Sequence, residues 1–260
     1  MNLYKSPCGY FEGKTSEADI FLFPAPDESL HIVGNVAEPQ KVAFDFLLSE
    51  SYRRNADIIY RETCPNCKKC VGIRVRPEDF IPSKGQKAVL KKNQDIEIKI
   101  TRNPNDFYSS EKIRLLQKYD KRHKPNKEKT LREVEEELLM MNGLMSIDGK
   151  RLDSPIFCGT FNMDYFLDGK LVGTSVLDEG KTSLSANYFF YDTDEEIMKR
   201  SLGTFSILQE IFYCAKNALD FYYLGYWIAD CKAMTYKAHF KPHELRDSDS
   251  GEWKLCGIQK

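Results

Sequence analysis

The stretch from Ser183 to Lys237 constrains the fold more than any other part of the chain. Residues 184–191, Leu-Ser-Ala-Asn-Tyr-Phe-Phe-Tyr, are aromatic and free of Gly and Pro, the composition of a strand. An acidic turn at 192–196 leads to Ser201-Leu-Gly-Thr, a sequence able to start a helix. Phe205, Leu208, Ile211, Phe212, Ala215 and Leu219 then recur at spacings of three and four, which predicts one apolar helical stripe. Residues 221–228 form a second aromatic strand. The unit reads as β-α-β, with parallel strands and a right-handed crossover. Ligands of such units sit beyond the carboxyl ends of the strands, here near Asp192, Ser201, Tyr226, Trp227 and residues 232–237. Gly225, inside an otherwise bulky strand, predicts a bulge or a close backbone approach.

At 260 residues the chain can bury a real core as one large domain or two modest ones. Net charge is −1, so the molecule as a whole is no polyanion trap. Residues 53–102 differ, with thirteen Lys or Arg against six Asp or Glu. Such a segment suits a local anionic partner such as nucleic acid, or simply a solvated face. No apolar run is long enough to span a bilayer, and the N-terminus lacks the apolar core of a signal peptide. The expected location is the cytoplasm, with no membrane partner.

Three of the eight cysteines fall in Cys64-Pro-Asn-Cys67-Lys-Lys-Cys70. Two overlapping C-x-x-C turns let neighbouring sulfurs reach one ion, and the lysines between them stabilise thiolates. Cys8, in the turn Ser-Pro-Cys-Gly-Tyr, is the natural fourth ligand. Thiolates suit zinc and iron–sulfur alike; a metal-free redox-sensitive cluster and a merely structural role stay open beside them.

Residues 1–27 lack periodicity. A helix is expected from 41 to 52 and strands at 58–61 and 73–76. Ser83-Lys84-Gly85 opens a basic helix carrying Lys87, Lys91 and Lys92, either as a phosphate cradle or as an ordinary capped start. A strictly alternating strand follows at 96–100, and Pro104-Asn105 marks the expected boundary between a cysteine-containing domain (1–104) and a second domain (105–260). Helices at 106–121 and 133–141 flank a basic loop containing Arg122, His123 and Lys124. Antiparallel strands are expected at 154–160, 165–167 and 171–178, with Asp168-Gly169 as a hairpin turn.

Several blocks occur together in this order: Leu171-Val-Gly-Thr-Ser-Val-Leu-Asp178, Tyr188-Phe-Phe-Tyr-Asp192, Ser201-Leu-Gly-Thr204, Tyr223-Leu-Gly-Tyr-Trp227 and Met234-Thr-Tyr-Lys237. With Tyr52-Arg53-Arg54, the cysteine cluster, Ile73-Arg74-Val75, Ser83 with Gln86 and Lys87, and Tyr119 with Arg122 and His123, they span nearly the whole chain. The sequence resembles the arginyl-tRNA–protein transferase family, including its short bacterial branch, the aspartate/glutamate leucyltransferases. The resemblance implies an α+β protein with a small cysteine-containing N-terminal domain and a C-terminal GNAT-like acyltransferase domain. It implies transfer of leucine or arginine from aminoacyl-tRNA to proteins with N-terminal Asp or Glu, marking them for degradation. It also implies a metal or iron–sulfur site. The family's N-terminal C-G-Y-C element stands here as Cys8-Gly-Tyr-Phe11, and its adjacent cysteine pair as the spaced Cys64, Cys67 and Cys70.

That chemistry asks mainly for positioning, because an aminoacyl ester is already activated and the attacking α-amine titrates near ambient pH. The transfer step itself calls for no cofactor. A proton acceptor and an oxyanion donor are sought among Asp178, Tyr188, Asp192, Ser201, Tyr226 and Tyr236; each aromatic taken alone reads first as core, and Asp178 and Asp192 read equally as strand-end turn residues. An acidic acceptor side chain calls for a cation, with Arg53, Arg54, Arg74 and Lys237 as candidates. Lys84, Lys87, Lys91, Lys92, Arg122 and Lys124 are the candidate phosphate contacts, joined by His123, whose basic neighbours should depress its pKa. A monomer is expected. Two rival functions stay open: a GNAT-type acetyltransferase using acetyl-CoA, for which Ser201-Leu-Gly-Thr is poor in glycine, and a non-enzymatic RNA-binding or redox-sensing protein.

Overall fold

A computed structural model describes residues 2–22, 37–125 and 127–257. Two sheets organise them. The smaller has four antiparallel strands in the order β1-β2-β4-β3: β1 (Asn2–Pro7), β2 (Thr15–Leu22), β4 (Ile58–Glu62) and β3 (Arg53–Asn55). The aperiodic N-terminal segment is therefore a hairpin as far as Leu22, and residues 23–27 lie outside the described residues. Helix α1 (Ala37–Ser49) packs Phe44 and Leu48 onto Ile59, Phe157 and Tyr223, bridging the small sheet to the large one.

The large sheet has eight strands in the order β12-β11-β5-β10-β9-β8-β7-β6. In chain order these are β5 (Val71–Val75), β6 (Ile96–Thr101), β7 (Thr160–Leu167), β8 (Lys170–Glu179), β9 (Ser183–Tyr191), β10 (Phe221–Trp227), β11 (His243–Arg246) and β12 (Trp253–Cys256). The division expected at residue 104 cuts across this sheet. Both β5 and β6 precede it, yet Ile73, Val75 and Ile96 join the same buried core as Leu184, Leu208 and Tyr222, with β5 in the interior of the sheet and β6 at its edge. No strand forms at 154–159; pairing begins at Thr160. Asp168 and Gly169 take positive φ (50° and 76°) in the two-residue turn between β7 and β8, as the Asp-Gly pair predicts.

Helices cover both faces of the large sheet. On one lie α2 (Lys84–Lys92) and α6 (Leu202–Lys216). The stripe of α6 is rotated from the expected one: Phe205, Leu208, Ile211 and Cys214 are buried with Leu202 and Ile207, whereas Phe212 and Ala215 face out. On the other face α3 (Ser110–His123) and α4 (Leu131–Met141) pack Leu115, Leu116, Val134 and Leu138 against Leu171, Val176 and Phe190. Side-chain caps set the starts of both, Ser109 accepting from the Lys112 amide and Thr130 from the Glu133 amide. Two short elements complete the chain, α5 (Glu195–Met198) and α7 (Lys232–Thr235), the latter running into a 3-10 turn at Tyr236–His239.

Candidate active site

The β-α-β unit folds as its sequence predicts, with β9 and β10 parallel. Their pairing is brief: Phe221, Tyr222 and Tyr223 align with Ser183, Leu184 and Ser185, and beyond that the strands part. Arg53, from β3 of the small sheet, fills the opening. One guanidinium nitrogen donates to the Ala186 carbonyl on β9, while Nη1 lies against Gly225 on β10 and is buried without a hydrogen-bond partner. Gly225 has φ +90° and stands where the β10–β5 register shifts, so both readings of this glycine hold.

The opening continues into a cleft of about 660 Å³. Arg53 and Tyr60 line it from the small sheet, Tyr10 from the turn between β1 and β2, Tyr119 from α3, and Phe189, Tyr191, Tyr222 and Leu224 from the splayed strands. The first turn of α6, from Ser201 to Thr204, faces it, as do Tyr236 and Lys237. Helix starts leave backbone N–H groups unpaired and favour negative charge. Lys237 is buried, and its Nζ donates to the Tyr226 carbonyl at 2.8 Å. Burial, together with the charge of Arg53, pushes its pKa down to about 7. Neither group has an acidic partner among the described residues, so the cleft presents a guanidinium and, beside it, an amine that takes up its proton near pH 7.

Six of the expected residues thus line the cleft: Arg53, Tyr188, Ser201, Tyr226, Tyr236 and Lys237. Ser201 takes the left-handed conformation (φ 57°) at the α6 N-cap without a side-chain capping bond. The Tyr188 hydroxyl accepts from Lys124 at 3.2 Å, and its ring meets Tyr119 edge-on.

The other expected substrate cations and catalytic groups are committed elsewhere. Arg54 and Asp178 satisfy each other through two bonds of 3.0 and 2.9 Å, with Arg54 also donating to the Ala56 and Met141 carbonyls. Both are fully buried and lock β3 onto β8, so neither is open to substrate. Arg74 bonds Glu244 at 2.5 Å and the Tyr223 hydroxyl at 3.0 Å, with its guanidinium over the rings of Phe221 and Trp253. Burial would raise the pKa of Asp192, but Lys118, the Asp194 amide and Lys170 hold it down at about 2, as a clamp between α3 and β8 rather than a base. The Tyr226 ring reaches the cleft, yet its hydroxyl donates to the Ser51 carbonyl at 2.9 Å and accepts from the Glu62 amide at 3.2 Å.

Glu210 escaped the sequence reading. It lines the cleft from α6, accepts from the Ser175 hydroxyl at 2.6 Å and from the Tyr222 hydroxyl, and burial pushes its pKa up to about 7. The one available signal was a charge at the i+2 and i−1 neighbours of the buried Leu208 and Ile211.

Of the basic set, Lys84, Lys87, Lys91 and Arg122 are exposed, with no side-chain ion pair among the described residues. Ser83 caps α2: its hydroxyl accepts from the Gln86 amide, and Gln86 returns the bond, so the capped-start reading holds. Lys92 donates to the Lys199 carbonyl, and Lys124 pairs with Asp120 and Glu137. The His123 ring packs against Tyr119 with centroids 4.3 Å apart and planes tilted by 34°, beside Tyr191; burial and then Arg122 lower its pKa, the direction expected.

The cysteines gather at the edge of the small sheet. Burial first, then Glu62, Cys64, Cys67 and Cys8, raise the Cys70 thiol to about 12, which places all four cysteines in one electrostatic neighbourhood. Among the described residues no three His, Cys, Asp or Glu side chains converge as metal ligands would. Nor is any helix there long and apolar enough to cross a membrane.

Two family models match the chain: the N-terminal part of arginine-tRNA-protein transferase over residues 6–88, and its C-terminal part over residues 111–247. The chain is similar to the aspartate/glutamate leucyltransferase of Pseudomonas fluorescens, at 31% identity over 92% of this chain and 89% of that protein. It is similar to the enzyme of the same name from Leptospira interrogans at 32% identity over 94% and 85%. Among solved structures, L-PGS from Bacillus licheniformis aligns with TM-score 0.45 and 11% identity over 84% of this chain and 63% of that one.

Proposed function

The chain belongs to the arginyl-tRNA–protein transferase family, and from that premise we propose that it transfers leucine from leucyl-tRNA to the α-amine of proteins beginning with Asp or Glu. The names of its relatives support the reaction and the donor. The observation that carries the acceptor is the pair of half-buried Arg53, whose Nη1 is enclosed without a partner, and buried Lys237, neither with an acidic partner among the described residues. A carboxylate entering the cleft would supply the missing charge, accepting from the free Nη1 of Arg53 and from Lys237. Its approach would also raise the pKa of Lys237 and keep that group protonated.

With the acceptor side chain held there, its α-amine attacks the ester carbonyl of the donor in the splay between β9 and β10. A C–N bond forms, the ester C–O bond breaks, and the terminal ribose hydroxyl of the tRNA leaves with a proton. The first turn of α6 offers backbone amides to the developing oxyanion, with the Tyr236 hydroxyl beside it as a donor. Most of the rate comes from positioning. Lys84, Lys87, Lys91 and Arg122 contact tRNA phosphates, and the exposed His123 ring extends the aromatic ledge at the cleft mouth for the tRNA end. In this reading the product N-terminus marks the acceptor protein for degradation, in the cytoplasm, with the enzyme a monomer.

Cys8, Cys64, Cys67 and Cys70 fit a thiophilic group by donor type; they do not converge as ligands in the present arrangement, and would have to draw together to hold zinc or an iron–sulfur cluster. Such a group would brace the small sheet that delivers Arg53; no transfer step runs through it.

The test is a transfer assay on peptides beginning with Asp, Glu or Ala, offered labelled leucyl-tRNA and arginyl-tRNA in separate reactions. Leucine on the acidic peptides alone is expected. Equal labelling of the Ala peptide would remove the assignment of Arg53 and Lys237, and no labelling from either tRNA would favour the acetyltransferase or RNA-binding readings.

A further inference from the structure

Among the described residues Glu210 is the only acidic one that lines the cleft. Its two hydrogen bonds come from neutral hydroxyls, Ser175 and Tyr222, each on a different oxygen. The titratable groups that feel its charge, Tyr165, Cys214, Tyr222 and Tyr236, include no base. Buried carboxylates are normally paired with a cation. A carboxylate offers about four acceptor positions, of which the two hydroxyls use two.

The position of Glu210 gives this vacancy a meaning. It stands on α6, which packs on the sheet face that carries Tyr222 and Leu224. Arg53 enters from the small sheet, on the face that carries Tyr223. Arg53 thus reaches the cleft from the face of the sheet opposite to Glu210. An acetyl thioester has no basic nitrogen on its acyl group, whereas an aminoacyl ester carries an α-nitrogen that becomes a cation near ambient pH.

Resting on the transferase reading, we propose that Glu210 receives a cationic nitrogen of the aminoacyl group that the donor brings into the cleft. The α-ammonium of any aminoacyl ester and the guanidinium of an arginyl ester share this chemistry. Donor and acceptor then sort by charge, the acceptor carboxylate to Arg53 and Lys237 and the donor cation to Glu210. The hydrogen bonds from Ser175 and Tyr222 fix the carboxylate in place beforehand, which is what discrimination between donors requires.

The experiment compares three donors on an Asp peptide: leucyl-tRNA, isocaproyl-tRNA (the leucyl group without its amine) and arginyl-tRNA. Wild-type kcat/KM should favour leucyl over isocaproyl by about tenfold or more. Glu210→Gln should erase that advantage while sparing isocaproyl transfer, and Glu210→Asp, which keeps the charge on a shorter arm, should fall between. A wild-type preference for arginyl over leucyl that Glu210→Gln abolishes would assign the guanidinium as the bound cation instead. Equal wild-type use of leucyl and isocaproyl donors with no arginyl preference would overturn the proposal, whatever the variants do. So would a uniform loss across all three donors in Glu210→Gln. Failure of every donor with the wild-type protein would remove the transferase reading itself.

Discussion

The guanidinium of Arg53 occupies the space that a side chain at Gly225 would need. Nη1 lies 3.0 Å and Cζ 3.1 Å from the position of a Cβ there, and the glycine itself holds φ +90°. A strand from the small sheet thus reaches the opening between β9 and β10 because β10 has no side chain at that point. The relationship predicts that Gly225→Ala acts twice. The backbone strain costs about 1–3 kcal/mol, read as a lower melting temperature. Displacement of Arg53 should lower transfer to Asp peptides by more than the fraction of folded protein accounts for. Full transfer by the folded variant would dissociate the two residues.

Arg53→Met and Lys237→Met should each weaken kcat/KM for Asp and Glu peptides by about ten- to a hundredfold, with the effect concentrated in the acidic acceptors. Background transfer to an Ala peptide should change little. A uniform loss over all peptides would mean that the cations serve the ester carbonyl rather than the acceptor side chain.

How far the sequence discloses this site depends on which interactions are local. The β9-α6-β10 unit is legible because aromatic strands and helical periodicity are written in adjacent residues, and Gly225 stands out within it. Residue type alone does not separate Arg53 from Arg54. They are neighbours on β3, and the alternation of a strand sends one through the splay and the other back to Asp178. Asp192 and Asp178 fail as bases for the same reason: their partners Lys118, Lys170 and Arg54 are distant in the chain. Glu210 goes unseen because a single acidic residue on an amphipathic helix ordinarily faces water, and only the rotation of α6 turns it inward. The expected division at 104 misplaces β5 and β6 because strand order in a sheet is not sequence order.

The Arg54–Asp178 pair should behave as structure, not chemistry. Asp178→Asn or Arg54→Met leaves a buried charge or donor set unmatched and should destabilise the protein by about 3–5 kcal/mol. Denaturant unfolding checks this. At a temperature where the variant stays folded, its preference for acidic over Ala peptides should match the wild type. A lost preference with unchanged stability would return these residues to the substrate site.

Glu210 and Lys237 titrate near pH 7 from opposite directions, so each gives stability a slope in its own pH window. An exposed glutamate titrates at about 4.3. Between there and about pH 7 the folded protein keeps a proton on Glu210 that the unfolded chain has released, so stability falls as pH rises through that window. An exposed lysine titrates at about 10.4. Between about pH 7 and that value the unfolded chain holds a proton that buried Lys237 has lost, so stability rises with pH. The two groups together predict a minimum near neutrality, each limb on the order of a few kcal/mol. Melting temperature against pH reads it directly. Glu210→Gln should flatten the acid limb and leave the alkaline one, and Lys237→Met should do the reverse. Adding an acidic peptide should shift the alkaline limb upward in pH, because a carboxylate beside Lys237 keeps it protonated. A wild-type profile flat through pH 5–10, or limbs that survive both substitutions, would mean that neither group titrates as its burial dictates.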